Sequence, residues 1–130
     1  MISKIEIERI GKKIVNAAYD VHCELGPGLL ESVYKVCMFE ELKSRNLFVE
    51  RQVRLPIFFK GKELDKEFIL DMLVERTVVI ELKSVEILLP VHEVQLVTYL
   101  KLADLKLGYL INFNVPLIKE GIKRKINGYF

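Results

Sequence analysis

The stretch Asp71-Met-Leu-Val-Glu-Arg-Thr-Val-Val-Ile-Glu81-Leu-Lys83 sets three charges inside two short apolar runs. Thr77 to Ile80 is β-branched throughout and favours a buried, extended strand. The run ending at Val74 reads as a second strand, with Glu75-Arg76 as the polar turn between them. A buried charge is costly unless it is paired or holds an ion, so Asp71, Glu81 and Lys83 need partners or a task. Glu81 and Lys83 are two apart, and strand alternation puts both on one face. An odd-numbered loop around Arg76 would set Asp71 opposite Glu81 on that same face. Two carboxylates converging on a strand pair suit a hard divalent cation such as magnesium. A lysine beside them can orient or activate a water, which is the outline of a metal-dependent phosphodiesterase site. The plainer alternative is a Glu81–Lys83 salt bridge on the wet face of an edge strand. The acid-x-Lys pattern recurs at Glu41-Leu42-Lys43 and Asp104-Leu105-Lys106, both in helical patterns, so it carries little by itself.

The chain has 130 residues, 51% of them hydrophobic, which suits one packed domain over 1–130 and leaves no room for two. No apolar run approaches a bilayer span, and the N-terminus shows no apolar leader. No membrane association and a cytoplasmic location are therefore expected. Cys23 and Cys37 lie in helical patterns without metal or redox spacing and read as buried thiols in a reducing compartment. A net charge of +2 makes the whole chain no electrostatic magnet for nucleic acid. Only the tail is basic, with Lys119, Lys123, Arg124 and Lys125 against Glu120. It reads either as a phosphate-tracking strand or as an edge strand protected by lysines.

Helical periodicity predicts one helix from about Ile5 to Leu25 and a second from Leu29 to about Asn46, separated by Gly26-Pro27-Gly28. Strands are expected over Phe48 to Lys60, Glu67 to Val74 and Thr77 to Val85, with Gly61 in a short turn. Pro90 opens a helix reaching about Leu105. Leu107 to Phe113 and Ile122 to Ile126 complete the order α-α-β-β-β-α-β-β. The fold class is α/β, a central mixed sheet flanked by helices.

Two further groups of residues point toward chemistry. Glu31 and Tyr34 lie three apart on one helix face, just after the glycine-proline-glycine loop. Acids favour helix starts in any case, and Tyr34 also suits a core. Gln95 and Tyr99 lie four apart on the third helix. Serine or cysteine catalysis is disfavoured, because only His22 and His92 are present and no nucleophile elbow accompanies them. No glycine-rich phosphate loop exists either.

Together these residues resemble the GxxExxY family of the PD-(D/E)XK nuclease superfamily. Gly28, Glu31 and Tyr34 match the eponymous motif, and the lead-in from His22 to Glu31 is similar. Asp71 and Glu81-Leu-Lys83 match the acid and (D/E)xK positions, and Gln95-xxx-Tyr99 resembles the QxxxY signature of the RecB-like branch. Leu107 to Phe113 and Gly121 to Arg124 also resemble the family. The similarity runs from about Ile10 to Ile126.

The resemblance implies a restriction-endonuclease-like fold and phosphodiester hydrolysis in nucleic acid, with DNA the expected substrate. Asp71 and Glu81 would bind Mg2+ or Mn2+ with the Leu82 carbonyl, and Glu31 would reach in directly or through a water. Lys83 would position the attacking water. Gln95, Tyr99, Tyr34 and His22 would orient the site or contact substrate. One departure is Ile69, where the resemblance leads us to expect a base. Ile69 and the small net charge motivate an alternative, a catalytically silent binding or regulatory module. A small-molecule carrier with Glu31, His22 and Tyr34 lining a pocket is a weaker third possibility. A homodimer is also expected, with one of the adjacent Phe58 and Phe59 facing the core and the other supplying interface.

Overall fold

The computed structural model describes residues 2–130. Helix α1 (Lys4–Leu25) starts where the Ser3 hydroxyl accepts from the Glu6 N–H at 3.2 Å. Its buried stripe, Ile7, Ile10, Ile14, Ala17, Ala18 and Val21, follows the helical period. Helix α2 (Glu31–Ser44) buries Tyr34, Met38 and Leu42. Then come β1 (Val49–Phe59), β2 (Lys62–Val74), β3 (Val78–Lys83), α3 (Pro90–Ala103), β4 (Leu107–Asn112), a 3-10 turn at Ile118–Glu120, and β5 (Ile122–Ile126).

The five strands lie in chain order, and only the β3–β4 pair is parallel. A parallel neighbour demands a crossover, and α3 is that crossover. One face of the sheet packs Met72, Val74, Ile80, Leu82 and Ile111 against α1 and α2. The other packs Leu70, Val79 and Leu110 against Leu96, Tyr99 and Leu100 of α3. The helix-flanked mixed sheet expected from the element order is therefore present, with a 3-10 turn added before β5.

Several boundaries differ, each for a local reason. The second strand begins at Lys62 and not at Glu67, because Lys60 and Gly61 both have positive φ (51° and 78°) and close a two-residue hairpin. The distal half of this hairpin has no helix over it. Phe58 and Phe59 are 57% and 62% exposed, so the expectation that one would face the core is not met. The third strand stops at Lys83 and not at Val85. There the Asn112 side chain takes over the Val85 N–H (3.0 Å) and C=O (2.9 Å) and holds the chain off the sheet. Helix α3 ends at Ala103, two residues before Leu105, capped by Asp104 in the left-handed conformation (φ 55°). Helix α2 is shorter than expected at both ends. Cys23 is exposed and Cys37 half-buried, both free, so the expectation of two buried thiols fails. In the basic tail, Arg124 pairs with Glu8 (2.8 Å) and Lys125 with Glu93 (2.6 Å) on an edge strand, which favours the protected-edge alternative.

The β4–β5 junction contains one tight position. The Asn112 N–H donates to the Gly121 carbonyl at 2.8 Å, and a Cβ on Gly121 would stand 2.0 Å from the Asn112 carbonyl oxygen. Backbone cannot yield as a side chain does. Gly121→Ala is therefore expected to cost about 3 kcal/mol, read as a lower urea midpoint with unchanged slope.

Candidate active site

The turn between β2 and β3 closes on Val74↔Val78 and so contains three residues, the odd number that the sequence argument required. Continuing that register sets Asp71 against Glu81, but the ladder itself ends one pair earlier, at Met72↔Ile80. Beyond it the carboxylates replace the missing backbone bonds. Glu81 Oε2 accepts from the Asp71 N–H at 2.7 Å, and Asp71 Oδ2 accepts from the Leu82 N–H at 2.8 Å. Each acid thus holds the main chain of the other strand.

Alternation from Met72 and Ile80 brings the two acids together, but it does not explain how Asp71 also reaches α2. Leu70 belongs to the α3 face and Met72 to the α1–α2 face, so β2 changes face at Asp71. Strand β1 changes face at the same level: Val49 packs with α1–α2 and Val53 with α3, and Gln52 between them has φ 52°. Such irregularities re-aim side chains and recur beside active sites. Here Asp71 is aimed so that it meets Glu81 from β3 and also α2 from the opposite layer.

Helix α2 brings its first turn to Asp71 through a clamped loop. Gly28 has φ 94°, a conformation that favours glycine, and turns the chain into the helix. The Tyr34 hydroxyl donates to the Gly26 carbonyl (2.6 Å) and accepts from the Leu29 N–H (3.1 Å). Ser84, just past β3, donates to the Leu29 carbonyl at 2.6 Å. The loop is thereby tied to the end of β3, and Glu31 arrives beside Asp71. Between them lies Lys35, its Nζ 3.0 Å from Glu31 and 3.1 Å from Asp71 Oδ1.

Other expected residues separate into two groups. Tyr99 is buried on α3, packed on Phe68 at 5.2 Å, and burial followed by the charges of Glu81 and Asp71 raises its pKa. It therefore stands by the carboxylates. Gln95, one turn earlier, is exposed. Tyr34 is fully buried and stacked on Phe113 (4.5 Å), and His22 is held by the Val115 carbonyl at 2.8 Å. Both anchor loops: Tyr34 holds the one that delivers Glu31, an orienting role, and His22 holds the one at Val115. The cleft beside His22 is walled by Tyr19, Cys23 and residues 116–119, and not by Glu31 or Tyr34, which gives the carrier alternative no support. Ile69 is 39% exposed, and Arg54, its cross-strand neighbour, is engaged with Glu67.

Sequence reasoning missed Lys35. Its signal was present, since Glu31 and Lys35 form an i,i+4 acid–base pair on one helix face. What the sequence did not show was that Asp71 completes a bridge across two elements.

The charges are unevenly compensated. Glu81 is 8% exposed on the central strand, which removes the wet edge-strand alternative. Burial and then the neighbouring Asp71 charge push its pKa up to about 8, against the Asp71 N–H, Lys83 and Lys35, which favour the charged form. Burial disfavours the Lys35 charge, but Glu31 and Asp71 outweigh it and leave its pKa above the usual lysine value. Lys83 is half-buried and makes no ion pair among the described residues. No three Asp, Glu, His or Cys side chains gather as a ready ligand set among the described residues. Asp71 and Glu81 nevertheless set two carboxyl groups side by side as oxygen donors, the chemistry that suits a hard cation once Glu81 ionises.

A five-stranded mixed sheet between two helical layers, with acids where β2 and β3 part, is the restriction-endonuclease-like α/β architecture. The sequence profile of the PD-(D/E)XK nuclease superfamily matches residues 8–125, from α1 into β5, and the chain belongs to that superfamily. No curated protein matches significantly. The crystal structure of SSO0001 is similar in fold, with TM-score 0.51 and 22% identity over 75% of this chain. The match takes in 49% of that chain, so this chain spans about half its length. No helix among the described residues is long and apolar enough to cross a membrane.

Proposed function

We propose that this protein is a divalent-metal-dependent nuclease of the GxxExxY, RecB-like branch, hydrolysing phosphodiester bonds in DNA. The observation that carries this reading is the buried Asp71–Glu81 pair, bound crosswise to the opposing strands with Lys83 beside it. Asp71 and Glu81 would hold Mg2+ or Mn2+, with the Leu82 carbonyl and Glu31 as further oxygen donors. A bound ion supplies Lewis acidity and a more acidic water. Lys83 orients the attacking water and offsets negative charge building on the phosphate. Tyr99 supports the pair from α3, and exposed Gln95 meets the nucleic-acid strand. A homodimer formed through the exposed Phe58–Phe59 hairpin and a cytoplasmic setting belong to the same proposal.

The test is cleavage of single- and double-stranded DNA and of RNA with Mg2+, Mn2+ or chelator, together with calorimetric metal titration. DNA cleavage that disappears with chelator is expected. Folded protein that binds neither metal would sink the enzyme assignment. Exposed, apolar Ile69 favours a second reading, a silent binding module, and nucleic-acid binding without cleavage in either metal would support it.

A further inference from the structure

Both oxygens of the Asp71 carboxylate are engaged. Oδ2 takes the Leu82 N–H at 2.8 Å, and Oδ1 lies 3.1 Å from the Lys35 ammonium, which also reaches Glu31 at 3.0 Å. Lys35 is thus the cation that now neutralises the donors on which a divalent ion would rely. Its side chain is 26% exposed and that of Asp71 14%, so water screens this contact less than an ordinary surface pair. Glu31 lies four residues before Lys35 on the same helix, so the ammonium can leave Asp71 and keep its partner on α2.

We propose that Lys35 is a built-in competitor for the divalent ion: metal binds only as the ammonium releases Asp71, so Lys35 sets the metal concentration at which the site fills. This rests on the nuclease reading of Asp71 and Glu81. The exchange is one of like charge on one carboxylate. An ammonium and a divalent cation cannot share Oδ1 at contact distance, because their repulsion in a half-buried setting opposes it. Glu31 keeps the ammonium as it leaves Asp71, so the gate acts on Asp71 and the displaced charge stays on α2.

The experiment is Mn2+ titration of the wild type, Lys35→Met and Lys35→Arg, followed by calorimetry and by the spin-resonance signal of free Mn2+. Methionine keeps the bulk of the stem without the charge. Lys35→Met should bind Mn2+ at least about 10-fold more tightly. Lys35→Arg, which retains a cation, should stay near the wild type. Thermal melts in chelator check that each variant folds, and Asp71→Asn serves as the site control. Equal or weaker binding by a folded Lys35→Met overturns the competitor and leaves the nuclease assignment standing. Absence of binding by wild type and Lys35→Met alike overturns both.

Discussion

Lys83→Ala is expected to lower phosphodiester cleavage at saturating Mn2+ by ~10³-fold or more. Lys83 closes β3 and is half-buried, and its charge favours the ionised form of Glu81 against the burial that raises its pKa. It has no ion-pair partner among the described residues whose loss would unsettle the fold. Losing the Lys83 charge withdraws one influence that favours ionised Glu81, so the variants are compared at saturating Mn2+, where a lost rate identifies the water-orienting role. Asp71→Asn should behave differently. It keeps one oxygen for the Leu82 N–H but forfeits the charge, so metal binding and cleavage fall together. Rates at saturating Mn2+ and calorimetric titrations separate the two variants. Wild-type cleavage by a folded Lys83→Ala protein would remove Lys83 from the mechanism.

The distribution of what the sequence revealed has a physical cause. Short-range chemistry was legible. The odd turn at residues 75–77, the Gly28 bend and the acid-to-lysine order along β3 depend on neighbours in sequence. Long-range polar contacts were not. Tyr34 and His22 look like functional groups, yet their partners are the carbonyls of Gly26 and Val115, which no pattern of spacing announces. The face change at Asp71 was hidden for the same reason. Alternation predicts regular strands, and the break depends on β1, where Gln52 adopts a positive φ at the matching level. Lys35 could be read as a helix-surface partner of Glu31, but its contact with Asp71 required the sheet to be in place.

Glu81→Gln is expected to abolish metal binding and to make the metal-free protein more stable at alkaline pH. In the folded state the Glu81 carboxyl keeps its proton until about pH 8, against the ordinary 4.5 when unfolded. Between those values the folded protein binds more protons than the unfolded chain, so wild-type stability falls as pH rises through that window. The full effect is up to about 5 kcal/mol at 1.36 kcal/mol per pKa unit. Glutamine cannot ionise, and its carbonyl can still accept from the Asp71 N–H. Urea midpoints at pH 5, 7 and 9 in chelator should therefore diverge, equal at the acid end and higher for Glu81→Gln at the alkaline end. Parallel curves would mean that Glu81 ionises like a solvent-exposed acid and that its buried charge is compensated elsewhere. Millimolar Mg2+ should then lift the wild type and leave the variant unmoved, because only the ionised carboxylate is a ligand. Lower stability near neutral pH, relieved by the ion, is what a carboxylate retained for binding rather than for packing should produce.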